Sequence, residues 1–353
     1  MDNWFLVENI DRVDSPGLLV YPARVEENIR ILKSFVDDVS RLRPHVKTNK
    51  SPEITRMLLK AGIHKFKCAT IAEDEMLAMS GAKDVLLAHQ PVGPKVERFL
   101  ALKEKYPDVH FSCVIDDIGI ARKLTSADVY IDLNVGMNRT GIEPEKAIEL
   151  YSPNVIGLHA YDGHLRDPDL AVRTKQCDEG FARVARLQSD IEKRFGKKLP
   201  IVAGGTPSFP IHAKRKDVEC SPGTFIYWDK GYQEVLKEQP FLIAALVVTR
   251  VISVPTSDTI CVDLGHKGIA SESPIDKRVY FLNADGLTPI GHSEEHLVLK
   301  VEGKNSFKVG DVLYGAPHHI CPTVNLYDAP NVIEKGKYVG NWETISRKRK
   351  ITV

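Results

Sequence analysis

The sequence predicts an α/β chain built as a (β/α)8 barrel of the TIM type followed by a mostly antiparallel β domain. Three observations predict it. Between residues 41 and 220, eight short strand-like runs alternate with helical patterns, the signature of a parallel sheet. No G-x-G-x-x-G opens the chain, which argues against the competing open, doubly wound sheet. After about residue 239 the texture changes to short β-type runs punctuated by Gly265, Gly268, Gly286, Gly291, Gly303 and Gly310.

In chain order, residues 17–21 form an apolar strand after a Ser15-Pro16-Gly17 turn signal. Residues 25–36 place Val25, Ile29, Leu32 and Val36 at helical spacing. Strand-like runs follow at 41–46, 64–69, 84–89, 110–115, 129–134, 155–161 and 199–203, with a weaker one at 217–220. The longest helical pattern between them covers 167–195. Beyond 239, β-type runs cover 241–254, 258–264, 278–281, 295–301 and 311–314. The basic tail, residues 347–350, reads as a solvated edge strand.

The chain has 353 residues, enough for a large barrel plus a smaller domain. Its net charge of +1 leaves no electrostatic footprint for nucleic acid or an acidic membrane surface. No run approaches the length of a membrane span, and residues 1–9 do not resemble a signal peptide. Six cysteines are scattered without framework spacing, as expected of reduced thiols in a cytoplasmic protein.

Five stretches carry candidate chemistry. The first is Arg43-Pro44-His45-Val46-Lys47-Thr48, where a strand hands over to a helix. In a barrel this junction is the catalytic rim. Lys47 is the candidate Schiff-base amine, with His45 and Arg43 as neighbours; the alternative is a pair of surface lysines, Lys47 and Lys50. In the second, Asp132-Leu133-Asn134-Val135-Gly136-Met137-Asn138-Arg139-Thr140-Gly141, a strand runs into a glycine-punctuated loop with Arg139 at its tip, where it could meet an anionic cofactor oxygen or simply solvent. The third comprises two glycine turns, one holding Gly205 and Thr206 and the other Gly223 and Thr224, whose amides could cradle a phosphate. The fourth is Pro317-His318-His319-Ile320-Cys321-Pro322. In an extended segment His319 and Cys321 point the same way and could share a divalent metal, zinc by donor type, at an open site; the other reading is a core strand. The fifth is His159-Ala160-Tyr161-Asp162-Gly163-His164, at a strand end. Here His164 suits acid/base work and Tyr161 could pack on an aromatic cofactor.

Taken together, these motifs resemble the D-threonine aldolase and D-serine dehydratase family of pyridoxal-phosphate enzymes, which have the alanine-racemase-type fold (fold type III). The resemblance covers nearly the whole chain. It implies a barrel at 22–238 carrying the cofactor on Lys47, and a β domain from 1–21 and 239–353 carrying the metal motif, with the active site where the two meet. It also implies a divalent metal (zinc or manganese), a small D-amino acid as substrate, and a homodimer. Relatives commonly have histidine where this chain has Asn49, and no role is assigned to that position.

Two reactions fit this pattern. Removal of a β-hydroxyl proton by His164 would break the Cα–Cβ bond and release glycine and an aldehyde. Removal of the α-proton would instead expel the hydroxyl group and lead to an oxo acid and ammonia. The stretch 160–165 looks more like the aldolases, and the His-x-Cys pair more like the dehydratases; the aldolase is the preferred reading. An amino-acid racemase, with a second base from Tyr280, Tyr314 or Tyr327, and a non-catalytic cofactor-handling protein are the remaining alternatives.

Overall fold

The computed structural model describes residues 3–353, and the chain divides into two compact units. One comprises Arg30–Gly223 with Ile345–Val353; the other comprises the residues up to Ile29 with Thr224–Thr344.

The first unit is the barrel. Seven parallel strands lie side by side in sequence order: Lys65–Cys68, Asp84–Leu87, His110–Ile115, Asp128–Leu133, Val155–Ala160, Ile201–Ala203 and Val218–Cys220. They are buried almost throughout, as parallel strands covered by helices must be. Leu86, Val114, Tyr130 and Val202 form one core cluster, with Ile156 packed against it.

The run at 41–46 is not a regular strand. Val39–Arg41 is a 3-10 turn, and only Leu42 and His45 bridge, to Cys220 and Lys67 respectively. Pro44 supplies no N–H and interrupts the ladder. The segment still bonds on both sides. Arg43 N donates to Cys220 O at 2.9 Å and His45 N to Pro222 O at 3.0 Å. On the other edge, Val46 N donates to Lys67 O and Lys67 N to Pro44 O, both at 2.9 Å. Residues 41–46 therefore occupy the eighth position and join the last strand to the first.

Arg43, only 1% exposed, does not serve the rim. It donates to Glu219 at 2.7 Å and to Asp84 at 2.6 Å, while Lys65 also pairs with Glu219. Asp84 and Lys65 open their strands, so this charge cluster lies at the N-terminal end of the sheet, opposite the usual catalytic face. Burial would raise the Asp84 carboxyl, but His110 and Arg43 hold it well below the usual range.

The second unit is a nine-stranded sheet. Its main path runs Leu287–His292, Leu297–Val301, Thr259–Val262, Ala245–Thr256, Gly17–Val20, Asn331–Glu334 and Lys337–Asn341. Val312–Pro317 pairs with both Ala245–Thr256 and Val279–Phe281. All pairs are antiparallel except Gly17–Val20 with Asn331–Glu334. The N-terminal strand thus belongs to this sheet, beside Ala245–Thr256.

The basic tail is not an edge strand. Ile345–Arg347 is a 3-10 turn, and the last residues pack on the barrel unit. Arg98 donates to Val353 O at 2.7 Å, and Glu75 accepts from Thr352 N at 2.9 Å. Among the described residues no helix is long and apolar enough to cross a membrane.

Replacing Arg43 with Met leaves Asp84 and Glu219 without their shared cation. We expect chemical denaturation to show a stability loss of about 3 kcal/mol. A loss below about 0.5 kcal/mol, the size of an ordinary surface substitution, would mean the cluster does not secure the barrel.

Candidate active site

Five of the nominated features follow the C-terminal ends of barrel strands or of the closing segment. Lys47 follows residues 41–46, Arg139 the strand Asp128–Leu133, and Tyr161 and His164 the strand Val155–Ala160. Gly205 and Thr206 follow Ile201–Ala203, and Gly223 follows Val218–Cys220.

Lys47 and Lys50 have different surroundings. Lys50, at a positive φ of 53°, forms an ion pair with buried Glu73. Among the described residues no carboxylate pairs with Lys47, whose Nζ lies 5.8 Å from the Tyr161 ring centroid. The Lys47 amide donates to His45 Nδ1 at 3.2 Å. Burial, then the Lys47 and Lys67 cations, keep His45 well below its usual value, so it stays neutral and its Nδ1 remains an acceptor.

The Tyr161 ring is the hub. The Arg139 guanidinium lies 5.1 Å and Lys67 Nζ 5.6 Å from its centroid. The ring rests on backbone: a Cβ at Gly163 would meet its hydroxyl at 2.1 Å, and one at Gly205 would meet its Cε2 at 2.8 Å. Arg139 is exposed, on a loop braced by Asn134 Oδ1, which accepts from the amides of Gly136 and Asn138 at 3.1 Å. Gly136, at φ 114°, abuts His164; a Cβ there would lie 3.2 Å from Nε2. His164 Nδ1 is buried and has no hydrogen-bond partner among the described residues.

The two glycine turns come together. Gly223 N donates to Thr206 Oγ1 at 3.2 Å, and a Cβ at Gly223 would press to 2.9 Å from His45 O. Gly205 N donates to Ser208 Oγ at 3.3 Å, so neither amide is bare. Ser221 Oγ, in the second turn, is buried without a partner among the described residues.

Behind the first turn, Asp162, Cys177 and His212 place potential ligand atoms within 4.8 Å of one another. Their lone pairs and protons are already committed. Arg215 donates to His212 Nδ1 at 3.0 Å, so the Nε2–H donates to Asp162 at 2.7 Å. Burial and then the Asp162 charge push the Cys177 thiol up to about 12, leaving it a protonated donor. Burial alone would raise Asp162, but His212, Ser208 and Cys177 hold it below its usual value. The cluster is a hydrogen-bond network that braces Ser208 and, through it, Gly205.

In the β unit, His319 and Cys321 adjoin, but not on a strand. Ile320–Val324 is a short helix, with His319 at its N-terminal boundary. Pro322 cannot donate to a sheet ladder yet is tolerated in a helical first turn. His319 Nδ1 bonds Glu272, and Cys321 Sγ lies 3.6 Å from Thr224 Oγ1. Burial works against protonation of His319, but Cys321 and Glu272 push it up to about 9. Thr224 therefore sits with the metal motif's own unit, while Gly223 closes the barrel unit.

Lys67 escaped the sequence reading, and His159 and Asp132, which stood in nominated stretches, were given no role there. Lys67 Nζ lies 3.4 Å from His159 Nε2, and His159 Nδ1 lies 2.7 Å from Asp132. The available signal was charge at alternate positions, Lys65 and Lys67, in a run that must be buried.

A parallel barrel with an unpaired rim lysine, an arginine loop and two converging glycine turns, plus a separate antiparallel domain, defines an enzyme of the alanine-racemase-like fold. Residues 20–230 match the family model described as "Alanine racemase, N-terminal domain", and the chain belongs to that family. Residues 244–333 match a second model, "Putative serine dehydratase domain". A D-threonine aldolase of Arthrobacter sp is 28% identical, over 95% of this chain and 93% of that one. A D-threo-3-hydroxyaspartate dehydratase of Delftia sp. (strain HT23) is 21% identical, over 94% and 97%. The crystal structure of D-threonine aldolase from Filomicrobium marinum superposes with a TM-score of 0.85 at 24% identity, covering 95% of this chain and 96% of that one. Aldolases and dehydratases are both lyases, and the chain is an enzyme of this lyase group.

Five of the six cysteines are buried, and only Cys321 is partly exposed. DTNB should titrate one thiol rapidly in the native protein and all six after denaturation. Zinc should suppress the fast phase, as should Cys321→Ser. A fast phase indifferent to both would place the reactive thiol elsewhere and count against a metal on Cys321.

Proposed function

We propose that the chain is a pyridoxal-phosphate-dependent, metal-assisted lyase of D-β-hydroxy-α-amino acids, and that its reaction is that of a D-threonine aldolase. The observation that carries this reading is that one barrel rim holds an amine, Lys47, and a buried imidazole nitrogen, His164 Nδ1, that have respectively no carboxylate and no hydrogen-bond partner among the described residues. The 28% identity to an aldolase over 95% of the chain supports it.

The residues fit the cofactor. Ser221 Oγ, in the turn nominated for phosphate, is buried without a hydrogen-bond partner among the described residues, and Gly205 and Gly223 leave room beside Tyr161 and His45 that a Cβ would fill. Lys47 would hold the aldehyde carbon, and Gly205, Thr206, Gly223 and Thr224 the phosphate. His45, Tyr161 and Arg139 would line the ring. Bound there, pyridoxal phosphate supplies an electron sink for the pair released at the substrate's α-carbon. His319 and Cys321 would hold a divalent metal, and their N/S donor set suits zinc as a Lewis acid toward a hydroxyl.

The protein's own steps are proton transfers and positioning. His164 would take the substrate's β-hydroxyl proton as the Cα–Cβ bond breaks and an aldehyde departs; glycine is the other product. Neutral His45 keeps the Lys47 backbone in place through its Nδ1. Arg139 remains cationic throughout and holds an anionic oxygen. The same reading carries a homodimer in the cytoplasm.

A second reading, a D-serine or D-3-hydroxyaspartate dehydratase, is favoured by the His-x-Cys pair and by the serine dehydratase model over 244–333. Here an α-proton is removed, hydroxide leaves, and hydrolysis gives an oxo acid and ammonia.

Product analysis separates the two. With pyridoxal phosphate and a divalent metal, D-threonine should give glycine and acetaldehyde, and L-threonine neither. Lys47→Ala should abolish turnover, and His164→Gln should lower kcat by about 10²-fold or more. 2-Oxobutanoate and ammonia without aldehyde would overturn the aldolase in favour of the dehydratase.

A further inference from the structure

Lys67 is a lysine in the middle of a barrel strand, 1% exposed, and the functional reading above leaves it without a task. Among the described residues no carboxylate comes within ion-pair distance of it. Its Nζ has one hydrogen-bond partner among the described residues, His159 Nε2 at 3.4 Å. Asp132 accepts from His159 Nδ1 at 2.7 Å, which leaves Nε2 as the ring's lone-pair nitrogen. Lys67 must therefore donate to His159, and this uses only one of its N–H groups. A buried amine with unused donors normally finds an acceptor, and the described residues provide none. An apolar residue of similar volume would cost the fold less.

The surroundings identify the missing acceptor. Lys67, Lys47 and Arg139 all face the Tyr161 ring, at 5.6, 5.8 and 5.1 Å from its centroid. His45, the bridge partner of Lys67 on the closing segment, is neutral. Asp132 is engaged by His159, Asp162 by Ser208 and His212, and Arg43 by Asp84 and Glu219. The charged side chains at the ring that lack an anionic partner are therefore cations, and their complement is an oxyanion.

We propose that Lys67 is the anion-receiving amine of this site, donating its unused N–H groups to a phenolate or carboxylate oxygen docked at the Tyr161 ring and taking up a proton as it does so. The inference rests on the functional reading above, in which the phenolate would come from the cofactor and the carboxylate from the substrate. Burial, and next the Lys47 cation, bring Lys67 down to about 7, against the pull of Asp132 and Asp162. An oxyanion would raise it again. Binding is then strongest below that value and weakens as pH rises through it towards the bound-state value.

The test uses pyridoxamine phosphate, which has no aldehyde and cannot condense with Lys47. Calorimetric titration into the cofactor-free protein at about pH 8, in buffers of different protonation enthalpy, counts protons taken up. Relative to wild type, Lys67→Met should bind roughly ten- to a hundredfold more weakly and lose the proton uptake. Lys67→Arg, permanently charged, should keep affinity without uptake. A second arm titrates D-alanine into the protein loaded with pyridoxal phosphate. A Lys67-dependent effect in the first arm assigns the phenolate, and one confined to the second assigns the carboxylate. If Lys67→Met is too unstable to titrate, the wild-type profile decides: affinity for pyridoxamine phosphate that does not fall between pH 7 and 9, and affinity for D-alanine that does not either, overturn the proposal. Equal affinity and equal uptake in wild type and Lys67→Met, in both arms, also overturn it. A wild type that binds neither cofactor form would overturn the functional reading itself.

Discussion

The barrel depends on a segment too irregular to be a strand. Residues 41–46 hydrogen-bond to Cys220 and Pro222 on one edge and to Lys67 on the other. Without them the first and last strands would be open edges. The same residues set the site. Arg43 is drawn to the strand starts by Asp84 and Glu219, while His45 and Lys47 emerge towards the strand ends. The bond from His45 N to Pro222 O also fixes the turn that carries Gly223. One stretch of six residues therefore closes the barrel, secures one end with ion pairs and orients the candidate nucleophile at the other.

The two ends differ in their electrostatics. At the strand starts, charges are paired and the pairs are mutually satisfied: Arg43 with Asp84 and Glu219, and Lys65 with Glu219. At the strand ends, Lys47, Lys67 and Arg139 surround one tyrosine ring, with Asp132 and Asp162 both occupied by their own partners. A fold stabilised only for its own sake would not leave that imbalance. The rim thus carries an excess of cationic side chains, whereas the opposite end balances its charges.

Much of this was legible in the sequence because it is local. Alternation of strand and helix patterns located seven barrel strands to within a few residues, while the change to β texture near 239 lies within the second unit, which begins at Thr224. Lys47, Arg139, Tyr161 and the glycine turns could be nominated because each lies in the loop that follows a strand or the closing segment. What escaped depends on tertiary neighbours. Lys67 and His159 lie within strands, and only the register of the closed sheet shows that they meet. The edge strand Leu287–His292 was hidden by Pro289 and Gly291, residues that edges tolerate and interiors do not. The helix at Ile320–Val324 was read as extended because five residues are too few to show a helical period, and His319 just before it is itself extended.

The central claim is that Lys47, and neither Lys50 nor Lys67, carries the cofactor. Lys50 is committed to Glu73 and Lys67 to His159, which leaves one rim amine uncommitted. The direct test is borohydride reduction of the protein loaded with pyridoxal phosphate, followed by peptide mass spectrometry. The account requires the pyridoxyl mass on Lys47 alone. The mass on Lys67 or Lys50, or on no residue of the barrel, would contradict it.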